Sequence, residues 1–225
     1  MISVITSTIR DSSIDTVFKN FHRQNWKEKE LIIILNKDAM NSEMWFSRAR
    51  QYENVFVYRI DQRATLGQCL NYGIERAKHP YIAKFDDDDY YGSNYLNQAH
   101  EAIQLDEEIG IVGKNAYYIY LTKEKSLLYL PYDENRYVES VAGATLFFKK
   151  KLWEEIPFRM RNKGEDYFFI IDTVNKGYKV YATDRKNFIV IRNENKNHTW
   201  QDAIEFYKKW ATPVDFTGHF SSIVE

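Results

Sequence analysis

Apolar and polar positions change period block by block along the first hundred residues. Ile2–Ser7 is a short β-branched run, and it is followed by apolar residues at 14, 17, 18 and 21, the spacing of a helix over Ile14–Phe21. Leu31–Leu35 is apolar without interruption, as expected of a strand buried on both faces. Met44–Tyr52 reads as a helix and Val55–Ile60 as a strand. Leu66, Leu70, Ile74 and Ala77 form one stripe of a helix over Leu66–Ala77, and Pro80–Phe85 is the next strand. Four strands alternating with three helices predict right-handed crossovers and a parallel, doubly wound sheet. Ligands of such sheets bind outside the carboxyl ends of the strands. The informative positions therefore follow Ser7, Leu35, Ile60 and Phe85.

The second half is less regular. Helix is expected over Asn94–Leu105 and strand over Ile109–Val112. Ala116–Leu121 and Ser126–Leu130 form a hairpin across a polar Thr-Lys-Glu-Lys turn. Ala144–Phe148 reads as a strand, and Glu165–Asn175 as a helix closed by Lys176-Gly177. Tyr178–Ala182 and Phe188–Ile191 are strands, and Gln201–Trp210 is a last helix. No repeat, low-complexity tract or linker divides the chain, so one domain over 1–225 is expected, more regular over 1–92 than over 93–225.

Composition narrows the function. The chain has 225 residues, 31 Lys plus Arg against 32 Asp plus Glu, and a net charge of −1, which is no footprint for nucleic acid or anionic lipid. Seventeen Tyr and five Trp are either surfaces for sugar rings or a bias of composition. The single Cys69 has no partner for an internal disulfide. No window approaches the roughly 18 apolar residues of a membrane-crossing helix. The first residues lack the basic start of a signal peptide. The expected location is the cytoplasm. No zinc spacing, Gly-x-Gly-x-x-Gly or Walker-type loop is present.

Asp86-Asp87-Asp88-Asp89 closes the fourth strand, where a ligand is expected. Four adjacent carboxylates repel one another. A divalent cation shared with a diphosphate relieves that repulsion, and a solvated, helix-capping turn is the plainer alternative. Gly164-Glu165-Asp166 opens a helix, where carboxylates serve either as caps or as a general base for a sugar hydroxyl. His198, followed by Thr199-Trp200, is a structural histidine or a metal ligand.

In this order the segments Ser3–Ser7, Leu31–Asn36, Gly67–Gly73, Tyr81–Asp89, Ala142–Phe148 and Gly164–Asp166 resemble the family 2 glycosyltransferases. Within that family, Lys84–Tyr91 and His198-Thr199-Trp200 are similar to enzymes of bacterial surface or spore-coat polysaccharide. The resemblance implies a GT-A fold: a Rossmann-like, mostly parallel central sheet flanked by helices, with a small antiparallel extension on the acceptor side, residues 1–92 forming the nucleotide-binding half and 93–225 the acceptor-binding half. It implies an Asp-x-Asp motif at Asp86-Asp87-Asp88, with Asp86 and Asp87 on the donor and Asp88 and His198 on Mn2+ or Mg2+. It implies Asp166 as the base of an inverting displacement, with Glu165 beside it on substrate hydroxyls. Thr6, Ser7 and Thr8 would pack on the nucleotide, Arg63 and Gln68 on the base or diphosphate, and Gly143 under the sugars. Many members carry Asp where this chain has Asn36, whose amide oxygen also accepts from a base N–H. The implied donor is a UDP- or dTDP-linked sugar, and the acceptor a glycan, a lipid-linked sugar or a protein. A sugar nucleotidyltransferase and a non-catalytic nucleotide-sugar-binding partner are the competing readings.

Overall fold

The computed structural model describes residues 1–193 and 203–224. The first half follows the expected alternation: β1 (Ile2–Thr8), α1 (Ile14–Arg23), β2 (Lys29–Leu35), α2 (Ser42–Ala49), β3 (Val55–Arg59), α3 (Leu66–Arg76) and β4 (Tyr81–Lys84). β5 (Tyr90–Tyr91) and α4 (Tyr95–Ile103) follow. Then come β6 (Ile109–Lys114), β7 (Tyr117–Leu121), β8 (Ser126–Leu130), β9 (Arg136–Val138), β10 (Phe147–Lys149) and α5 (Lys150–Glu155). The chain continues through α6 (Glu165–Asn175), β11 (Lys179–Thr183), β12 (Phe188–Arg192), α7 (Ala203–Trp210) and β13 (Thr212–Val214).

The main sheet has the order β3-β2-β1-β4-β10-β6-β11-β9. Register across β1 is parallel on both sides, Val4 lying between Leu31 and Ala83. β10 enters antiparallel between β4 and β6, pairing Phe147 with both Ala83 and Val112. β9 is the other antiparallel member, against β11. Both faces of the sheet are buried, which explains the unbroken apolar runs. Ile2, Val4, Leu31, Ile33 and Leu35 pack with Phe18, Phe21, Trp45 and Leu96 on one side. Ile5, Ile32 and Ile34 pack with Leu70, Ile74 and Phe169 on the other. Each such side chain, once buried, contributes about 1.5–3 kcal/mol.

A second sheet, β13-β8-β7-β12-β5, contains the expected hairpin, with Tyr117 opposite Leu130. It is mostly antiparallel, with one parallel pair between β7 and β12. The strand expected over Ala144–Phe148 is corrected. Gly143–Thr145 is a 3-10 turn, and the strand starts only at Phe147. Lys84 N–H donates to the Leu146 carbonyl at 2.9 Å, so the segment just before β10 lies against the carboxyl end of β4. An antiparallel strand inserted beside β4 thus delivers residues 142–146 to the side of the sheet where ligands bind.

The start of α6 reaches the same side by another route. After α5 the chain runs along α3: the Gly67 N–H donates to Arg161 O at 3.0 Å, and Asn71 binds the Phe158 carbonyl through its amide at 2.8 Å. Gly67 permits this, because an added Cβ would stand 2.0 Å from the Arg159 carbonyl oxygen.

Candidate active site

A cavity of about 800 Å³ opens at the carboxyl ends of β1, β2 and β4. Ser7, Thr8 and Asn36 line it from the first two strands, Asp86–Asp89 from the fourth, and Gly143, Glu165 and Asp166 from the second half. Thr6, Arg63 and Gln68 are not among its lining residues. Thr6 is buried within β1. Arg63 pairs with Asp61 at 2.7 Å on an exposed turn. Gln68 completes a capping box: its side chain accepts the Thr65 N–H at 2.9 Å, and Thr65 Oγ1 accepts from Gln68 N at 3.3 Å. His198 lies outside the described residues.

The turn after β4 is held by an aromatic clamp. Phe85 and Tyr91 stack with centroids 3.7 Å apart. The Tyr91 hydroxyl accepts the Asp86 N–H at 2.8 Å and donates to the Ala144 carbonyl at 2.6 Å. One phenol therefore fixes both the acidic turn and the 3-10 turn opposite.

Every aspartate of the run meets a protein cation. The Lys84 ammonium binds Asp86 at 2.5 Å. Arg10 binds both oxygens of Asp87 and reaches Asp88 at 3.1 Å, while Thr8 Oγ1 donates to Asp87. Arg192 meets Asp89 at 3.3 Å, and that carboxylate also accepts the Ile191 N–H at 2.9 Å. Three cations thus stand against the four carboxyl groups. Much of the repulsion that the sequence argument assigned to a metal is thus relieved by side chains. Burial pushes Asp87 upward in pKa, with Arg10 opposing it. Burial likewise takes Asp89 up to about 8 against the pull of Arg192.

The second acidic pair is built differently. Gly164, at φ 73°, caps α6 in the left-handed region, and Glu165 and Asp166 occupy the first turn, where the helix dipole favours anions. Asp166 Oδ1 accepts the Tyr167 N–H at 2.7 Å. Its other oxygen rests on Gly143: an added Cβ there would stand 1.5 Å from Asp166 Oδ2. Glu165 is only 5% exposed, and burial raises its pKa to about 7 although Lys84 pulls it down. Lys84 itself is 4% exposed; burial alone would discharge it, but Asp86, Glu165 and Asp166 together hold its pKa above the ordinary value. One ammonium thus joins the two acidic groups.

No three His, Cys, Asp or Glu side chains among the described residues stand close enough to cage an ion. Asp88, a hard oxygen donor on the cavity wall, suits the mode in which Mg²⁺ or Mn²⁺ takes one or two carboxylates and completes its shell with substrate phosphates. Arg10, Lys84 and Arg192 were missed as site residues in the sequence. Lys84 alone left a signal, a charge inside the otherwise apolar Tyr81–Phe85 run, which requires a nearby partner.

The model of glycosyl transferase family 2 matches residues 3–166. The chain belongs to glycosyl transferase family 2. Its fold is the GT-A arrangement of solved family structures. S. aureus TarS 1-349, in complex with UDP-GlcNAc, superposes with a TM-score of 0.66 at 16% identity, over 88% of this chain and 60% of that one. The mannosyltransferase PcManGT from Pyrobaculum calidifontis, in complex with GDP-Man and Mn2+, gives 0.69 at 13% identity, over 92% and 60%. The glycosyltransferase chain described here therefore spans about 60% of the length of these two structures. A comparison with curated proteins gives no match. No helix among the described residues of this glycosyltransferase is long and apolar enough to cross a membrane.

Proposed function

We propose that this chain moves a sugar from a nucleoside diphosphate sugar to an acceptor hydroxyl, with inversion at the anomeric carbon. The observation that carries the reading is the sharing of one cavity by two unlike acidic groups: a cation-held aspartate run, and a helix-start carboxylate seated on bare backbone at Gly143. TarS with UDP-GlcNAc and PcManGT with GDP-Man and Mn2+ are precedents for such a donor, and the second for a divalent ion, on this fold.

Ser7, Thr8 and Asn36 face the nucleoside; the Asn36 amide nitrogen donates to the Asp61 carbonyl at 2.8 Å, and the amide oxygen serves as acceptor for a base N–H such as that of UDP or dTDP. Asp86 and Asp87 face the ribose and diphosphate. Asp88, with His198, would hold Mn²⁺ or Mg²⁺, which when bound supplies charge stabilisation to the leaving diphosphate. Asp166 takes the proton of the acceptor hydroxyl as its oxygen bonds to the anomeric carbon and the bond to the diphosphate breaks. Glu165, protonated up to near neutrality, donates to a substrate hydroxyl, and Gly143 gives the sugars a floor without a side chain. The acceptor is a glycan, a lipid-linked sugar or a protein, and the setting is surface or spore polysaccharide synthesis in the cytoplasm or at the periphery of a membrane. Residues 1–225 act as one catalytic unit.

Asp166→Asn tests the base. Transfer should fall about 10²–10⁴-fold, while calorimetric affinity for the nucleoside diphosphate with Mn²⁺ stays at the parental value. Asp88→Asn should weaken that affinity itself. Proton NMR of the product should show the anomeric configuration opposite to the donor's. Parental transfer by Asp166→Asn removes the assignment, and a retained configuration removes the single displacement.

A further inference from the structure

A second cleft, of about 670 Å³, lies between α6 and the edge strand β9. Tyr167, Ile171 and Val174 succeed one another at helical spacing along one wall, and Tyr178 extends it past the helix end. The opposite wall is Tyr137, with Glu139 and Ser140 beyond it. From Tyr167 to Asn175 the cleft follows α6 for about 12 Å at the helical rise per residue.

Both walls are continuous along the chain with the lining of the catalytic cavity. Tyr167 follows Asp166 directly, and the segment carrying Glu139 and Ser140 continues to Ala142 and Gly143. The two strips of chain that carry these walls meet at Gly143 and the Asp166 carboxylate. A molecule whose reacting hydroxyl sits at Asp166 is thus led along the cleft by the two strips of chain that build the base's own seat.

The lining specifies the chemistry. Tyr137 and Tyr167 are 48% and 56% exposed, although they are large aromatic residues. The Tyr137 ring is fixed before any ligand arrives. Its hydroxyl donates to Asp106 at 2.7 Å, Lys179 sits 5.0 Å over the ring, and Tyr181 meets its edge with centroids 5.7 Å apart. A fixed ring loses little freedom on binding. A sugar ring offers an apolar C–H face with hydroxyls around its rim, which suits tyrosines flanked by Glu139, Ser140 and Asn175. A polyanion is poorly served: Lys179 is committed to Asp106 at 3.1 Å and to Glu108 at 2.5 Å, and Glu139 adds a negative charge.

We infer that this cleft binds the sugars of an uncharged oligosaccharide acceptor that lie behind the reacting hydroxyl, making the acceptor a glycan chain. The inference rests on the transfer reading above for its orientation, but its test does not require turnover. Maltohexaose, cellohexaose and chitohexaose are titrated by saturation-transfer NMR against the parental protein and variants, with poly-aspartate and phosphatidylglycerol vesicles as competing probes. At least one neutral hexasaccharide should bind. Tyr137→Ala and Tyr167→Ala should each weaken it about tenfold, the size expected for an aromatic anchor, with the nucleoside diphosphate affinity unchanged in both. Asp166→Asn should leave hexasaccharide binding intact. The inference is overturned if none of the three binds, if binding survives both tyrosine changes, or if poly-aspartate or the vesicles bind the cleft in preference. It is also overturned if sedimentation shows a dimer that Val174→Glu dissolves, which would assign the cleft to a second copy. Parental transfer by Asp166→Asn would sink the base assignment alone and leave the cleft result standing.

Discussion

The acidic run after β4 and the acidic pair opening α6 carry the same functional group into the same cavity, yet they are held in opposite ways. Asp86–Asp89 are gripped by Lys84, Arg10 and Arg192, so their positions are fixed by ion pairs. Glu165 and Asp166 have a helix start, backbone contacts and a share of Lys84. A guanidinium partner works against protonation, although burial outweighs it at Asp87 and Asp89, and the pairing fixes these carboxyl groups in place, which suits a binding role. A carboxylate on a helix start beside a glycine floor is partly exposed and open to a substrate hydroxyl. The difference teaches that the sum of charges does not separate a binding group from a base; the identity and burial of the counter-charge do.

Lys84 is where the two groups can be uncoupled, and the largest effect on stability is expected there. Lys84→Met keeps the volume and removes a buried ammonium from Asp86, Glu165 and Asp166. Removing one partner of a buried ion pair costs about 3–5 kcal/mol, so the urea midpoint should drop steeply. Arg63→Ala breaks a pair whose arginine side chain is 87% exposed and should leave the midpoint where it is. Equal midpoints for the two variants would show that Lys84 does not link the acidic groups.

Glu165→Gln probes the same link through pH. Burial raises the Glu165 pKa from the ordinary 4.5 to about 7. The unfolded chain therefore releases its proton first as pH rises. The associated stability is fully present below the unfolded value and is lost as pH climbs from about 4.5 through 7. The loss is on the order of 3 kcal/mol at most. In nucleotide-free protein, the parental unfolding midpoint should fall between pH 5 and 8 more steeply than that of Glu165→Gln. Parallel profiles would mean that Glu165 ionises freely in the fold.

The same contrast governs how much was legible in sequence. β1 to β4 and their helices could be read because the central strands β1 and β2 are buried on both faces and the apolar period changes between each strand and the next helix. The hairpin and α6 could be read from alternation and from a Gly-capped stripe. The Ala144–Phe148 segment misled because Gly143–Thr145 is apolar or small while adopting a 3-10 turn, a local choice set by the Tyr91 hydroxyl on Ala144 O. β9, β13 and α5 are too short to carry a period. At the site, the acids stood out because they are contiguous, whereas their counter-charges did not: Arg10 and Arg192 reach Asp87 and Asp89 from 77 and 103 residues away. Pairing over such separations is decided by topology, and the insertion of an antiparallel β10 was invisible to a reading that expected parallel crossovers.

Gly143→Ala sharpens the comparison from the catalytic side. The added Cβ would lie 1.5 Å from Asp166 Oδ2 and 2.4 Å from Cγ, so one of the two must move. The side chain is the softer partner, since among the described residues Asp166 is hydrogen-bonded at one oxygen, by the Tyr167 N–H. Overpacking of this kind costs about 1–3 kcal/mol when the surroundings have to yield. At a half-exposed helix start most of the strain should instead be released by turning the carboxylate away from its seat. Stability should therefore fall by about 1 kcal/mol, at the low end of that range, while transfer falls on the order of 10²-fold from misplacement of the base. The nucleoside diphosphate affinity should change little, because Asp86–Asp88 are held by Arg10 and Lys84 and are linked to the Gly143 turn through the Tyr91 hydroxyl on Ala144 O, not through the Gly143 Cα. The contrast between the two acidic groups breaks down if Gly143→Ala weakens nucleotide binding as much as transfer, for the two would then move as one rigid unit.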